Sequence, residues 1–132
     1  EEAVKEVVDA GAEAGSYAQI GGQCEIIFLI LPNGDISKEV LFGQDGVASA
    51  LAPGKVVCDM SSVTPVESKE CFERLAEQGV GIIVISDDVS ELIQNCSKIL
   101  IMKNGKTAGS ISSKELDETR LSRLLTGEEE TV

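Results

Sequence analysis

Acidic and hydroxyl side chains follow two apolar segments of the chain, at the points where strands would end. They are Asp59, Ser61, Ser62, Ser86, Asp87 and Asp88. At the carboxyl edge of a parallel sheet, such oxygens are suited to binding a ligand, or a hard cation such as Mg²⁺ or Ca²⁺. The alternative is that they cap helices and lie in solvent, and we favour that interpretation.

The residues needed for histidine-dependent nucleophilic catalysis and for zinc binding are not found in the sequence. The sequence has no histidine, which excludes Ser-His-Asp and Cys-His nucleophiles. Its four cysteines, Cys24, Cys58, Cys71 and Cys96, are widely spaced and form no C-x-x-C pair, so we predict no zinc site. We expect reduced, mostly buried thiols in a cytoplasmic protein, with no catalytic, cofactor-binding or metal-binding residues.

The elements that would carry these residues are four apolar segments separated by helical ones. Segments 25–31, 55–59, 81–86 and 98–102 show little polar alternation, which is typical of parallel strands covered on both faces. We therefore predict that Val57 and Ile83 are core positions. The segment AEAG (12–15) is a candidate for a further short strand.

Local signals predict where several elements begin and turn. Asp35 is expected to cap a helix starting at Ile36, and Thr64, Pro65 and Glu67 form a capping-box sequence. Asp88 with Glu91 repeats the capping pattern. The segment KNGK (103–106) predicts a type I′ turn that folds TAGSIS back antiparallel on KILIM.

The order of strands and helices predicts an α/β domain spanning residues 1–132. Right-handed crossovers would place the three connecting helices on one face of a four-stranded sheet. Helix 2–10 and helix 117–126, with its stripe Leu121, Leu124 and Leu125, would then have to cover the other face. We expect a homodimer to cover any patch that remains.

The charge of the chain restricts its partners. With 11 basic and 23 acidic residues, the net charge is −12. Nucleic acid and anionic membranes are polyanions, so we expect neither as a partner. The longest apolar run, IIFLILP, is far shorter than the roughly 20 residues that span a bilayer.

Two different families are suggested by two parts of the chain. The run FLILPN…KEVLFGQDGV…LAPGKVVCDMSSVTP in residues 1–79 resembles the nucleotide-binding domain of the β-hydroxyacid dehydrogenases. The resemblance implies that Leu31, Pro32, Ser62 and Thr64 match positions that line a cofactor pocket. However, the sequence contains no G-x-G-x-x-G turn and no DAPVSGG-type substrate loop. We therefore expect negligible dinucleotide affinity and no cofactor.

A second part, residues about 77 to 129, resembles the C-terminal end of the ATPase subunit of sugar ABC importers, and we assign the segment 80–132 to it. The resemblance rests on EQGVGIIVISDDVSELIQNCSKILIMKNGKTAGSISSKELDETRLSRLLTGEE. It implies the switch-region strand, a regulatory helix and a hairpin. No G-x-x-x-x-G-K-[ST] loop and no L-S-G-G-Q signature occurs in the sequence.

These resemblances together predict a Rossmann-like or P-loop-like three-layer fold. We expect a mainly parallel sheet of four to five strands with a C-terminal antiparallel hairpin strand. We expect no catalytic function. We interpret the chain as an engineered chimera of the two fragments, joined at EQGV (77–80). Two alternatives stay open, a natural truncated NAD(P)-binding module with residual nucleotide affinity and a module that docks a partner on an exposed sheet face.

Overall fold

A computed structural model describes residues 2–128 of the chain. The chain forms two compact units, residues 1–83 and 84–132. The helices are α1 Glu2–Asp9, α2 Tyr17–Gln23, α3 Gly34–Phe42, α4 Pro65–Glu77, α5 Val89–Asn95 and α6 Glu118–Thr126. The strands are β1 Ile26–Leu29, β2 Val56–Asp59, β3 Gly81–Val84, β4 Lys98–Lys103 and β5 Lys106–Ser112. Short 3₁₀ turns lie at Val47–Ala50 and Ser113–Glu115.

The first unit is built on a parallel sheet with the order β1-β2-β3. β1 pairs with β2 in a register that places Ile27 beside Val57 and Leu29 beside Asp59. These four side chains are buried on one face of the sheet. The predicted α/β class, with a parallel sheet and an antiparallel hairpin, is thus confirmed. The parallel sheet has three strands rather than four to five.

Helices α3 and α4 supply the rest of this core. The chain moves from β1 through α3 to β2 and through α4 to β3, in the same direction across the sheet. Right-handed crossovers then place both helices on the same face. Their buried apolar side chains, Val40, Leu41, Cys71, Phe72 and Leu75, complete the core.

The opposite face of this sheet is largely exposed. Ile26 and Phe28 are 56% and 62% exposed, and Ile83 is 50% exposed. Val57, at 0%, is confirmed as a core position, whereas the prediction for Ile83 is wrong. Helix α1, which was expected to cover this face, has no buried residue, so that prediction is also wrong. The physical reason is that both crossovers place their helices on the other face.

Helix starts follow the local signals with one exception. Thr64 caps α4, Pro65 is its first residue, and the capping box with Glu67 is complete, as predicted. For α3 the cap is Asn33, whose Oδ1 accepts from the backbone N–H of Ile36 at 2.9 Å, rather than Asp35. The segment 12–15, predicted as a short strand, contains no strand residue.

The second unit contains the predicted hairpin. β4 and β5 pair antiparallel, with a register shift between Ile101 and Met102. Asn104 and Gly105 have φ angles of 49° and 72°, the positive values that a type I′ turn requires. β4 was predicted to be a parallel strand buried on both faces. Instead, its burial alternates, with Ile99 and Ile101 buried and Leu100 exposed.

Helix α6 packs on this hairpin. Leu121 and Leu124 are buried with Ile99 and Ile101, whereas Leu125, predicted to share the stripe, is 45% exposed. Partly buried side chains of α5 and β5 surround this cluster, namely Val89, Leu92, Ile93 and Ile111. Gly127 ends the helix in the left-handed conformation, at φ 86°. No helix in residues 2–128 is long and apolar enough to cross a membrane.

Candidate functional site

The strongest candidate site is the carboxyl edge of the parallel sheet, where the loops after β1 and β2 meet. The Ser61 hydroxyl oxygen accepts a hydrogen bond from the backbone N–H of Leu31 at 3.0 Å. The N–H of Ser62 donates to the carbonyl of Leu31 at 3.1 Å. The two loops are therefore fixed to each other by hydrogen bonds, as a pre-organised binding edge requires.

Asp59, the acidic residue at this edge, has a structural role. Its side chain is only 5% exposed, and its Oδ1 accepts from the backbone N–H of Ser61 at 2.9 Å. This bond holds the loop in the shape that lets Ser61 reach Leu31. The carboxylate thus supports the loop rather than projecting into solvent as a ligand.

The start of α4 carries a second polar cluster at this edge. Glu67 Oε2 accepts from the Thr64 hydroxyl at 2.6 Å and from the Thr64 backbone N–H at 2.9 Å. Both hydrogen bonds hold the pKa of Glu67 below its usual range, and the bond from the Thr64 hydroxyl has the larger effect. A Cβ on Gly34 would collide with the carboxyl group of Glu67, so a larger residue there would displace this carboxyl from the capping box.

An ion pair joins the same two helices further along. Lys38 Nζ lies 2.5 Å from Glu70 Oε2, and both side chains are partly exposed. The hydrogen bond raises the pKa of Lys38 and lowers that of Glu70. Exposed pairs of this kind stabilise little, so the pair orients the helices more than it strengthens the fold.

In the second unit, the predicted site residues are engaged in capping. Asp88 Oδ1 accepts from the Glu91 N–H at 2.9 Å at the start of α5, and the Ser86 hydroxyl accepts from the Asp88 N–H at 3.1 Å. Asp87 is exposed. Within residues 2–128 no group of three or more cysteine, aspartate or glutamate side chains could hold a metal ion. Of the six candidate site residues, Asp88 is the N-cap of a helix, as the capping interpretation predicts.

Three of the four cysteines lie in surroundings that disfavour the reactive thiolate. All four are free, with Cys58 and Cys71 buried and Cys24 exposed. Burial raises the pKa of Cys58, Cys71 and Cys96. A raised pKa disfavours the thiolate, which is the reactive form.

Two contributors to this region were not found from the sequence. Asn33 follows Pro32 in a segment interpreted as a turn, although asparagine is among the best N-cap residues and that preference could have identified it. Lys55 Nζ donates to the carbonyls of Gly21 and Gly22 at 2.5 and 2.7 Å, at the end of α2. No sequence signal connects residues this far apart.

The capping box of α4 makes a testable prediction. Thr64→Ala should cost about 1 kcal/mol of the free energy of unfolding at neutral pH, because the N-cap oxygen is lost. Glu67 has a lowered pKa in the folded state, so its contribution is full above the unfolded-state pKa and is lost as pH falls through the folded-state pKa. The difference between variant and parent in urea unfolding should therefore narrow in acid. Thr126→Ala, at the end of α6, should show no such pH dependence.

Known proteins match the chain in two places. Residues 1–86 match the family described as the NAD binding domain of 6-phosphogluconate dehydrogenase. The 3-sulfolactaldehyde reductase of Escherichia coli (strain K12) is 36% identical over 83 residues, which are 62% of this chain and 28% of that enzyme. The chain thus spans little more than a quarter of the length of this relative.

The C-terminal portion is similar to a different class of protein. The ribose import ATP-binding protein RbsA 3 of Rubrobacter xylanophilus is 43% identical over 58 residues, 44% of this chain and 12% of that protein. Similarity to hydroxyacid dehydrogenases in the first part and to importer ATPases in the second is therefore established.

A solved structure supports the fold. The crystal structure of 3-hydroxyisobutyrate dehydrogenase from Salmonella typhimurium superposes with a TM-score of 0.56 and 24% identity. The superposed region covers 61% of this chain and 28% of the Salmonella chain. At this identity the likeness concerns the fold alone, and the fold is Rossmann-like.

Proposed function

This chain belongs, through residues 1–86, to the family of the NAD binding domain of 6-phosphogluconate dehydrogenase, and from that premise we propose that it is a fold chimera without catalytic turnover. Its second part derives from an importer ATPase. The observation that carries the proposal is a coincidence of boundaries. The family match ends at residue 86, and the first compact unit ends at Ile83, inside β3.

The absence of turnover rests on the residues at the sheet edge. Asp59, Ser61 and Thr64 have their polar atoms in bonds that shape loops and helix starts. The 132 residues contain neither the glycine-rich turn that admits a pyrophosphate nor the P-loop that holds a triphosphate. Without these turns, neither hydride transfer nor ATP hydrolysis has its phosphate anchor.

The direct test is an assay of the 132-residue chain for both activities. We expect no NADH formation from NAD with a panel of small hydroxyacids, and no phosphate release from ATP above the blank. A rate that is proportional to protein concentration and survives further purification would contradict the proposal.

We further propose that the junction was made by deliberate recombination. A crossover inside one helix–strand unit preserves the pleat and the helix docking, which supports a choice made with the fold in mind. A natural gene that encodes both sides of the junction in one reading frame would overturn this origin.

A second candidate function is residual nucleotide binding by a truncated NAD(P)-binding module. The bond from the Leu31 N–H to the Ser61 hydroxyl favours it, because the two loops of this edge remain joined. Calorimetric titration with NAD, NADP and ATP separates the two candidate functions, because saturable binding favours the nucleotide-binding module. If saturable NAD binding occurs at this edge, Ser62→Glu should weaken it by charge repulsion with the phosphates. Ser122→Glu, which adds the same charge on α6, should leave it unchanged.

The surroundings we propose for the chain follow from its charge and thiols. A net charge of −12 disfavours nucleic acid and anionic membranes as partners. Four free cysteines suit the reducing conditions of the cytoplasm.

A further inference from the structure

Two asparagine–glycine pairs occur in the chain, and the structure holds them in different ways. Asn104 and Gly105 form the exposed tip of the hairpin between β4 and β5, whereas Asn33 and Gly34 form the start of α3. This sequence is chemically reactive, because glycine leaves its own backbone nitrogen unhindered beside the asparagine amide. That nitrogen can attack the side-chain carbonyl carbon and close a five-membered succinimide ring.

Ring closure imposes a specific backbone conformation on the asparagine. The attacking nitrogen and Cβ must eclipse each other about the Cα–C bond, which for an L-residue corresponds to ψ of about −120°. Among the hairpin turns, type II′ has this ψ at its first central residue, together with a positive φ. The succinimide therefore fits a type II′ turn, which also joins antiparallel strands through two residues.

Asn104 can reach this conformation without unpairing the strands. Its φ of 49° has the positive sign that types I′ and II′ share at the first central residue. The change from one type to the other rotates the peptide between Asn104 and Gly105 and reverses the sign of the Gly105 φ, which glycine allows. A Cβ on Gly105 would meet nothing within 4 Å, so this peptide lies in open space. The flanking pair, Lys103 and Lys106, keeps its register in both turn types.

Asn33 is also followed by glycine, but the fold locks it. Its Oδ1 accepts from the backbone N–H of Ile36 at 2.9 Å, so its amide is engaged in capping α3. Its backbone is extended, with φ −161° and ψ 169°. Gly34 is buried, and its α-carbon faces the carboxyl group of Glu67, which restricts rotation of the peptide. Ring closure at Asn33 would therefore require the loss of the cap and of the first turn of α3.

We propose that Asn104 is a self-modification site, converted through a succinimide to aspartate and isoaspartate while Asn33 is preserved. The Gly105 nitrogen gives its proton to hydroxide and bonds to Cγ of Asn104. The Cγ–Nδ2 bond breaks, and the nitrogen leaves as ammonia after taking a proton from water. A second water then opens the ring. Cleavage of the new N–Cγ bond gives aspartate, whereas cleavage at the main-chain carbonyl gives isoaspartate, whose main chain runs through Cγ.

The two products differ in their effect on the hairpin. Aspartate before glycine is accepted in a type I′ turn. Isoaspartate adds one carbon to the main chain, so the two-residue loop no longer matches the register that pairs Lys103 with Lys106. Ile99 and Ile101 of the same strand are buried with leucines of α6. Isoaspartate therefore loosens the core of the second unit, and the age of the chain is coupled to the stability of that unit.

The test is incubation of the full chain at mildly alkaline pH and physiological temperature, followed by mass spectrometry of the fragments that contain each asparagine. In the native chain, Asn104 should be converted at least about tenfold faster than Asn33, because only Asn33 must first lose a cap. In guanidinium chloride, where neither pair is structured, the two rates should agree within about threefold. Labelling by an isoaspartyl methyltransferase identifies the isoaspartate product.

Three variants serve as controls. Asn104→Gly keeps a turn of the same type without a side-chain amide, and its β4 amides should keep their exchange protection during incubation. Asn33→Ser keeps a helix cap and should be modified at Asn104 as fast as the parent. Asn104→Asp carries the charge of the product on a normal main chain. The isoaspartate fraction of the parent, separated by its added charge, should lose β4 protection at least about tenfold relative to Asn104→Asp.

Several results would overturn the proposal. Equal native rates at the two asparagines, or a faster rate at Asn33, would remove the distinction between the turn and the cap. A native Asn104 that is converted far more slowly than in guanidinium chloride would show that the hairpin protects this residue. Unchanged β4 protection in the isoaspartate fraction would remove the coupling between modification and stability.

Discussion

Val57→Asp is expected to unfold the first unit, at a cost of at least about 3 kcal/mol in the free energy of unfolding. Val57 is 0% exposed in the central strand, between neighbours that are themselves apolar. A carboxylate at this position would lose its hydration and gain no cationic partner. Circular dichroism during urea unfolding should report lost or strongly shifted cooperativity.

The matched control is Ile83→Asp in the neighbouring strand. This side chain is 50% exposed, so the new carboxylate can remain hydrated. We expect a cost of about 1 kcal/mol or less, measured at a protein concentration low enough to keep the chain monomeric. If Ile83→Asp were as damaging as Val57→Asp, both faces of the sheet would have to be covered within one chain.

The second large effect on the free energy of unfolding is expected from truncating one buried leucine in the second unit. Leu124→Ala should cost about 2–5 kcal/mol, because Leu124 is 1% exposed and packs with Ile99, Ile101 and Leu121. Its neighbour Leu125 is 45% exposed, so Leu125→Ala should cost under about 1 kcal/mol. Both variants keep the helix propensity of α6, since alanine is the best helix former.

Amide exchange in β4 is the suitable measurement, because it reports the opening of this unit directly. Protection of β4 amides should fall strongly in Leu124→Ala and little in Leu125→Ala. Equal losses in the two variants would mean that α6 presents a different face to the hairpin.

The features predicted correctly from the sequence are those set by residues close together in the chain. Thr64 and Glu67 are three residues apart, and their reciprocal bonds need no other part of the fold. The turn at Asn104 and Gly105 needs only positive φ angles, which these two residue types tolerate. Such signals survive any tertiary arrangement that keeps the segment.

The errors concern which face of a strand is covered. The segments containing Phe28 and Ile83 are apolar throughout, which led to the prediction of cover on both faces. An apolar composition indicates that burying the strand is favourable, but the position of the connecting helices determines which of its two faces is buried. In a three-stranded sheet crossed in one direction, both helices lie on the same side, and no pattern within a strand encodes that outcome.

The candidate site divides in the same way. Asp88 and Thr64 were predicted as caps because a cap is read from its own helix start. The Ser61 hydroxyl bond to Leu31 and the Lys55 bonds to Gly21 and Gly22 join loops that are distant in the sequence. Only the folded chain brings these partners together, so their roles could not be predicted.

The division of the chain after Ile83 also sets the order in which its parts can fold. In the second unit, the turn at Asn104 brings β4 and β5 together through the closure of a very short loop. In the first unit, the pairing of Ile27 with Val57 requires a long crossover to close before any hydrogen bond between the strands can offset the entropy lost. Local contacts form faster than distant ones, because loop closure costs entropy. The unit that leaves the ribosome last therefore has the shorter path to its native contacts.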